Sequence, residues 1–269
     1  MGEALNEEVS GRRRIWRLAL ISATAYRYYQ TLRRNPTDTF SMLARPLLST
    51  ALFAIFAATY LAPSYGIAFM IISVAVVNVF TNAIQGSSYE AREEIQGLRL
   101  DVVRLSPGGF PAFVNAHALI QTFLAAMQSL VIIVISMPFV SYRPIGQPMY
   151  LLASVGLLLG TSFLAAMLGT QVTIRHNNFL AVSFTSVLLI TFAGAFYPIE
   201  AFPSWAATIA RCNPVTYLVD LIRVSLFNSK PLLAPSWEIC VCVAFLAVLS
   251  LGAVTFSRQP FGTSAEKQR

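Results

Sequence analysis

Charged residues are scarce in this sequence, and their scarcity excludes an ordinary water-soluble protein. Only 12% of the 269 residues are Asp, Glu, Lys or Arg, whereas a soluble globular domain carries roughly 25%. Hydrophobic residues make up 56% of the chain, and the mean hydropathy is +0.63. The polar surface is too small to face water on all sides, so the composition indicates an integral membrane protein.

Groups that support catalysis or metal binding are also few. The only lysines are Lys230 and Lys267, and neither follows a glycine, so the chain lacks the GxxxxGK[ST] loop that binds nucleotide phosphates. His117 and His176 occur without an HExxH motif or a Cys/His cluster. We expect His117 to hydrogen-bond a neighbouring helix. The sequence therefore predicts no catalytic residue, no metal site and no cofactor in this chain.

The net charge of +7 indicates a membrane partner rather than nucleic acid, because the basic residues lie between and beside the apolar runs. Runs of about 20 apolar residues match a hydrocarbon core of about 30 Å. They predict an all-α protein of about six transmembrane helices. The spans lie at about residues 46–61, with a start as early as Phe40, and at 67–85, 113–140, 149–172, 179–196 and 237–256.

Small residues four apart in the fourth span favour close contact between helices. They are Gly156 with Gly160, and Ala165 with Gly169. Ionisable residues are absent from the centres of the predicted spans, which argues against proton or sodium coupling. Glu200 and Asp220, which lie between spans, are possible exceptions.

Residues 13–34 predict a basic amphipathic helix ahead of the first span. Arg13, Arg17, Arg27 and Arg34 fall on one side of this helix, and aromatic and aliphatic residues fall on the other. Such a helix suits the membrane interface, with its arginines toward anionic headgroups. A cytoplasmic helix packed on protein is the alternative.

Residues 89–105 form a charged amphipathic segment that we place outside the bilayer. The segment is a candidate docking element for a soluble motor, and a solvated loop helix without a partner is the alternative. The predicted docking residues are Glu90, Arg92, Glu93, Glu94, Arg99 and Asp101.

Residues 197–236 contain five prolines and only short apolar helices, at about 204–211 and 215–227. Each is too short to cross a bilayer, and broken helices at membrane depth need protein or a water-filled cavity around their backbone. We therefore predict a re-entrant helix pair before the last span.

Basic residues fix the predicted orientation. With the N-terminus inside, fifteen of the nineteen lysines and arginines are cytoplasmic, as the positive-inside rule requires. Both termini are then cytoplasmic, and the re-entrant pair lies toward the outer face. We divide the chain into residues 1–39, an N-terminus with the interfacial helix; 40–256, the transmembrane domain; and 257–269, a cytoplasmic tail.

Tyr197-Pro198, Pro203 and Trp205 are followed by the run Asn213-Pro214-Val-Thr-Tyr217 and then by Asp220 and Arg223. The segment from Gly194 to Arg223, which contains these residues, resembles the late segment of ABC-2 type permeases, the membrane subunits of ATP-binding-cassette exporters. The likeness extends over nearly the whole chain, and the daunorubicin-exporter and nodulation-exporter branch is the most similar. Residues of this gate motif are Tyr197, Pro198, Pro203, Trp205, Asn213, Pro214, Tyr217, Asp220 and Arg223.

The resemblance implies an assembly of two permeases, identical or paralogous, with two ATPase subunits that bind ATP and Mg²⁺. It implies that residues 89–105 sit in a groove of the ATPase and that the re-entrant pair caps the outer end of the path. Tyr197 and Pro198 would form a kink there, and Arg223 would pair with Asp220 or Glu200. The implied location is the bacterial cytoplasmic membrane.

The function implied is the permease subunit of an exporter for an amphipathic drug, lipid or glycolipid. Candidate residues of the substrate path are Asn78, Asn82 and Phe192. A polysaccharide or oligosaccharide exporter is the alternative within transport. A non-transporting membrane scaffold and a membrane enzyme are the alternatives outside it.

Overall fold

The computed structural model describes residues 19–30, 33–37, 40, 44, 47–48, 51–52, 55, 66–97, 109–136, 148–196, 199–227 and 230–258. Within these ranges the regular structure is helical, without a β-strand. The first predicted span, at residues 46–61, falls largely outside them.

The helices are α1, described over residues 19–30; α2, Gly66–Gln96; α3, Gly109–Ser136; α4, Pro148–His176; α5, Phe179–Thr191; α6, Ser204–Cys212, preceded by a 3₁₀ turn at Ile199–Ala201; α7, Pro214–Phe227; and α8, Pro235–Arg258.

Four of the helices described, α2, α3, α4 and α8, are long and apolar enough to cross a membrane. They correspond to the second, third, fourth and sixth predicted spans. The fifth predicted span, 179–196, is longer than the helix found there, because α5 has 13 residues and ends at Thr191. Gly194 has a φ of 64°, a left-handed conformation through which an α-helix does not continue.

Helix α2 is longer than its predicted span, which ended at Gln85. Its 31 residues extend over about 46 Å at 1.5 Å per residue, so the helix exceeds a hydrocarbon core of about 30 Å. The charged segment from Tyr89 onward continues the same helix to Gln96. Glu, Arg, Gln and Ala dominate this extension, and all four are strong helix formers.

Proline and asparagine define several helix starts. Pro148, Pro214 and Pro235 each occupy the first position of a helix, where the missing N–H leaves no hydrogen bond unmade. The α4–α5 link has only two residues: Asn177, with a φ of 47°, and Asn178. The Asn178 side chain caps α5 by accepting a hydrogen bond from the Ala181 N–H at 3.0 Å.

Helix α2 lies at the centre of the packing. It contacts α3, α4, α5 and α7, whereas α8 packs on α4 and α7. In the most apolar 18-residue stretch of each helix, 61% of the residues are buried in α2 and 11% in α8. The main cluster of buried side chains joins α2, α4, α5 and α7, and includes Phe80, Leu158, Ile190 and Val219. Most of the α8 surface is thus left uncovered by the other helices described, and this apolar surface is suited to lipid.

One of the two small-residue pairs in α4 marks a close helix approach. A Cβ atom placed on Gly169 would lie 2.7 Å from Ser88 Oγ, 3.2 Å from Ile84 and 3.2 Å from Val182. Gly169 therefore lets α2, α4 and α5 meet closely. Gly156, by contrast, has nothing within 4 Å of such an atom, so the pair it forms with Gly160 is not a continuous contact.

Candidate functional site

An ion-pair cluster joins α1 to the extension of α2. Glu90 and Glu94 are four residues apart and so lie on one face of α2. Arg27 Nη1 donates to Glu94 Oε1, and Arg27 Nη2 lies 3.3 Å from Glu90 Oε2. Glu94 is only 2% exposed. These two predicted docking residues thus bind α1 within the same chain.

The charges at this junction favour one another. Partial burial by itself lowers the pKa of Arg27, but the hydrogen bond and charge of Glu94, and then the charge of Glu90, outweigh it. The net effect raises the pKa of Arg27 above its usual value, so the guanidinium stays charged. The predicted orientation of Arg27 toward lipid headgroups is corrected here, because the side chain turns toward α2. The packed-helix alternative describes this side of α1 better.

Aromatic and amide groups attach α1 to α3 as well. Tyr28 Oη accepts a hydrogen bond from Gln121 Nε2 at 2.6 Å, and burial raises the pKa of the Tyr28 phenol, which stays neutral. The His117 ring packs edge-on to Tyr28, with ring centres 6.1 Å apart, and lies 4.3 Å from that of Phe113. Among the described residues, the buried His117 Nδ1 has no hydrogen-bond partner. The expected bond to another helix is thus not found at that atom, and the ring packs against Tyr28 and Phe113.

The opposite face of the α2 extension is open. The exposed side chains on this face are those of Tyr89, Arg92, Glu93 and Gln96. The Arg92 guanidinium lies 5.6 Å from the centre of the Phe179 ring at the start of α5. Of the predicted docking residues, Arg92 and Glu93 are therefore accessible to a partner. Arg99 and Asp101 belong to the part of the chain that the structure does not describe.

Polar side chains in the apolar half of α2 bind neighbouring helices. Asn78 Nδ2 donates to Ser129 Oγ at 3.0 Å. Asn82 Nδ2 donates to Asn78 Oδ1 at 2.8 Å and to Gln128 Oε1 at 2.9 Å. Ser129 and Gln128 are buried in α3. Asn78 and Asn82, predicted to line the substrate path, are half-buried and form a hydrogen-bonded seam between α2 and α3.

The Asn-Pro-Val-Thr-Tyr run holds α6 and α7 together. Asn213 Oδ1 caps α7 by accepting from the Val215 N–H at 3.0 Å, and its Nδ2 donates to the Leu189 carbonyl of α5. Thr216 Oγ1 and Tyr217 Oη each donate, at 2.7 Å, to carbonyl oxygens in the last turn of α6. Carbonyls in the last turn of a helix lack their usual partner four residues on. The Ala210 carbonyl also accepts from the Asn213 N–H at 3.2 Å, so the run joins the end of α6 to the start of α7.

Other residues of the gate motif surround this junction. Pro203 is the N-cap residue of α6. Trp205 is exposed and packs edge-on against Phe192, with ring centres 6.2 Å apart. Pro214 begins α7. Tyr197 and Pro198 are not among the described residues, so the predicted kink stays a prediction.

Arg223 does not form the ion pair expected of it. Its side chain is 5% exposed, and among the described residues no carboxylate, including those of Asp220 and Glu200, lies within 4.0 Å of it. Arg223 Nε instead donates to Ser73 Oγ at 2.6 Å, and Nη2 donates to the carbonyls of Gly194 and Ala195 at 2.9 and 3.1 Å. Backbone carbonyls left free by the end of α5 take the place of the expected carboxylate.

Asp220 has a different partner, and it lies beside a carboxylate that the sequence analysis missed. Asp220 Oδ2 accepts from the Leu232 N–H and Glu238 Oε1 from the Leu233 N–H, both at 2.8 Å. The two side chains thus hold consecutive amides of the α7–α8 connection. Glu238 is fully buried. Its position in the first turn of α8 was the available signal, since acidic residues stabilise helix N-termini.

Taken together, the fold and these clusters define a multi-pass helical membrane protein in which one spanning helix continues into a charged extension and two short helices precede the last span. The sequence profile described as ABC-2 type transporter matches residues 19–227. This match covers more than half of the chain, so the protein belongs to the ABC-2 transporter family and is the membrane permease component of an ABC transporter. No curated protein matches the sequence.

Proposed function

We propose that this chain is the permease subunit of an ATP-driven exporter that moves an amphipathic drug, lipid or glycolipid across the bacterial cytoplasmic membrane. The observation that carries the proposal is the family match over residues 19–227, which includes α1, the α2 extension and the short-helix pair α6–α7. Permeases of this family work with an ATPase subunit. Two copies of it, with bound ATP and Mg²⁺, would supply the energy to two permeases.

The proposed topology has six crossings and cytoplasmic termini. The first crossing stays the predicted span at residues 46–61, which lies largely outside the described residues, and the proposed fifth crossing is α5 with residues 192–196. Helices α6, with 9 residues, and α7, with 14, are about 14 and 21 Å long. Both are shorter than the hydrocarbon core of about 30 Å, which supports a re-entrant pair on the outer side.

The proposed docking surface is the open face of the α2 extension, with Arg92 and Glu93 at its centre. Glu94 is excluded from direct docking because it is buried against Arg27. Charged side chains that are exposed on a rigid helix give specificity and fast association in a protein interface. We propose that Glu90 and Glu94 instead hold the α2 extension against α1.

An amphipathic substrate suits the apolar character of the helices beside the short-helix pair. Helix α5 contains no charged residue, and it exposes Leu180, Phe184, Val187 and Leu188. Phe192 and Trp205 add an aromatic pair at its outer end. A polysaccharide path would need more hydrogen-bonding and stacking groups than this surface offers.

Co-purification with ATPase subunits from the same genome tests the proposal. We expect the wild-type chain to bind one of them, and the double charge reversal Arg92→Glu with Glu93→Arg to abolish that binding. Glu200→Arg is the matched control, because Glu200 is exposed in the 3₁₀ turn before α6, which the proposed topology places on the outer side, and it should leave the complex intact. A wild-type chain that binds none of the ATPases would refute the exporter and leave the scaffold alternative.

A further inference from the structure

The guanidinium of Arg223 connects three parts of the molecule that are distant in sequence. It belongs to α7, donates to Ser73 of α2, and donates to Gly194 and Ala195 after α5. It also lies 3.7 Å from the centre of the Phe69 ring on α2, a cation–π contact. The Arg223 contact thus joins a charged side chain of α7 to the part of α2 that contains Phe69 and Ser73.

The chemistry of these contacts favours a fixed position for Arg223. A buried charge is costly unless hydrogen bonds compensate it. Here three acceptors and an aromatic face do so, and two of the acceptors are carbonyls freed by the end of α5. A lysine has no planar fork and could not reach all of these groups at once.

Helix α2 continues from this contact to the docking surface. Ser73 and Glu94 lie 21 residues apart in one unbroken helix, which is about 32 Å at 1.5 Å per residue. Arg27 and the docking surface lie at the Glu94 end of this stretch, and Arg223 lies at the Ser73 end. A helix of this kind moves as a rigid element, so displacement of the docking end also displaces Ser73 and Phe69.

We propose that Arg223 is the positioning residue through which α2 sets the position of the short-helix pair α6–α7. The inference rests on the proposed function, since it assumes a motor that moves the cytoplasmic end of α2. In the absence of the Arg223 contact, the motor would still hydrolyse ATP. The short-helix pair would then be held to α2 only by the apolar contacts of α7, and it would follow α2 less closely.

Cys212, which is exposed at the end of α6, is a native reporter of the position of this pair. The experiment uses the permease–ATPase complex in lipid vesicles, with the second exposed cysteine removed by Cys240→Ser. The rate of Cys212 modification by a charged maleimide is measured without nucleotide and with ATP plus vanadate. ATP hydrolysis is measured on the same vesicle preparations without vanadate.

We expect nucleotide to change the labelling rate in the parent complex and Arg223→Gln to reduce this change strongly while ATP hydrolysis persists. Ser73→Ala, which removes the α2 hydrogen bond from the other side, should also reduce the change. Thr81→Val is the matched control for Ser73→Ala, because the Thr81 hydroxyl donates to the Val77 carbonyl of the same helix, and it should keep the nucleotide response. If Arg223→Gln does not fold, Arg223→Lys retains the charge without the fork and should show the same reduced response.

The outcomes separate the inference from the proposed function. An active complex in which Arg223→Gln or Arg223→Lys responds to nucleotide as the parent does would overturn the inference and leave the exporter intact. The same holds for an active parent complex whose Cys212 labelling ignores nucleotide. Absence of any bound ATPase would instead be seen before labelling, and it would refute the proposed function itself.

Discussion

At the scale of single residues, the polar groups in the apolar helices serve mainly to join one helix to the next. Gln85 Nε2 donates to Ser186 Oγ at 3.0 Å and so binds α2 to α5, as the Asn78–Asn82 seam binds α2 to α3. Interhelical hydrogen bonds in a membrane are worth about 0.6 to 2 kcal/mol each. A permease with few charges can therefore hold its helices together through amides and hydroxyls.

Gly169 gives the sharpest prediction at this scale. Gly169→Val places atoms where Ser88, Ile84 and Val182 already lie, and overpacking of this kind costs about 1 to 3 kcal/mol. Gly156→Val introduces the same side chain into the same helix, but into open space. The change in helix propensity is equal in both, so unfolding in detergent micelles isolates the packing cost. Equal stability of the two variants would contradict the close α2–α4 contact.

Around the α6–α7 junction, residue identity says more about position along the chain than about individual hydrogen-bond partners. The Asn213, Thr216 and Tyr217 side chains are polar groups beside two helix ends, and their places near those ends follow from the Asn-Pro break. The partner of Arg223 did not, because the carbonyls it binds become available only where α5 ends. Glu238 was overlooked for a similar reason, since its contact with the α7–α8 connection depends on the tertiary fold.

At the scale of elements, the continuity of α2 makes its charged end part of the same helix as the apolar span. The sequence shows a change of composition at Tyr89, but composition does not show whether a helix stops there. Residues 86–96 contain no proline, and the helix continues. Which face of that extension packs on α1 also depends on tertiary structure, so Glu94 could not be distinguished from Glu93 by sequence.

The Arg27–Glu94 contact predicts a specific double-mutant result. Arg27→Ala leaves a buried carboxylate without its charged partner, and since Arg27 is 43% exposed we expect a loss of about 1 to 3 kcal/mol. Arg27→Glu should lose at least as much, and Arg27→Glu combined with Glu94→Arg should recover part of the loss. Unfolding of the four proteins in detergent micelles measures this. Additive effects in the double variant would show that the two side chains do not interact.

At the scale of the whole molecule, four of the six spans predicted from run length correspond to described helices long enough to cross a membrane, because hydrophobicity over about 20 residues is a property of the chain itself. The position of α5 was predicted, but its end was not. The end is set by the left-handed Gly194 and by the carbonyls that Arg223 binds, which no hydropathy pattern reveals. Orientation rests on the distribution of basic residues, and it has a direct consequence for chemical labelling.

If both termini are cytoplasmic, Cys212 faces outward and Glu93 faces inward. In intact cells expressing the Cys240→Ser protein, a membrane-impermeant maleimide should label Cys212, and Cys212→Ser should abolish the signal. Glu93→Cys in a background without Cys212 should be labelled only after the membrane is opened, because the α2 extension lies on the other side. The reverse pattern would invert the topology. It would place the fifteen basic residues outside, against the positive-inside rule, and put the docking face out of reach of a cytoplasmic ATPase.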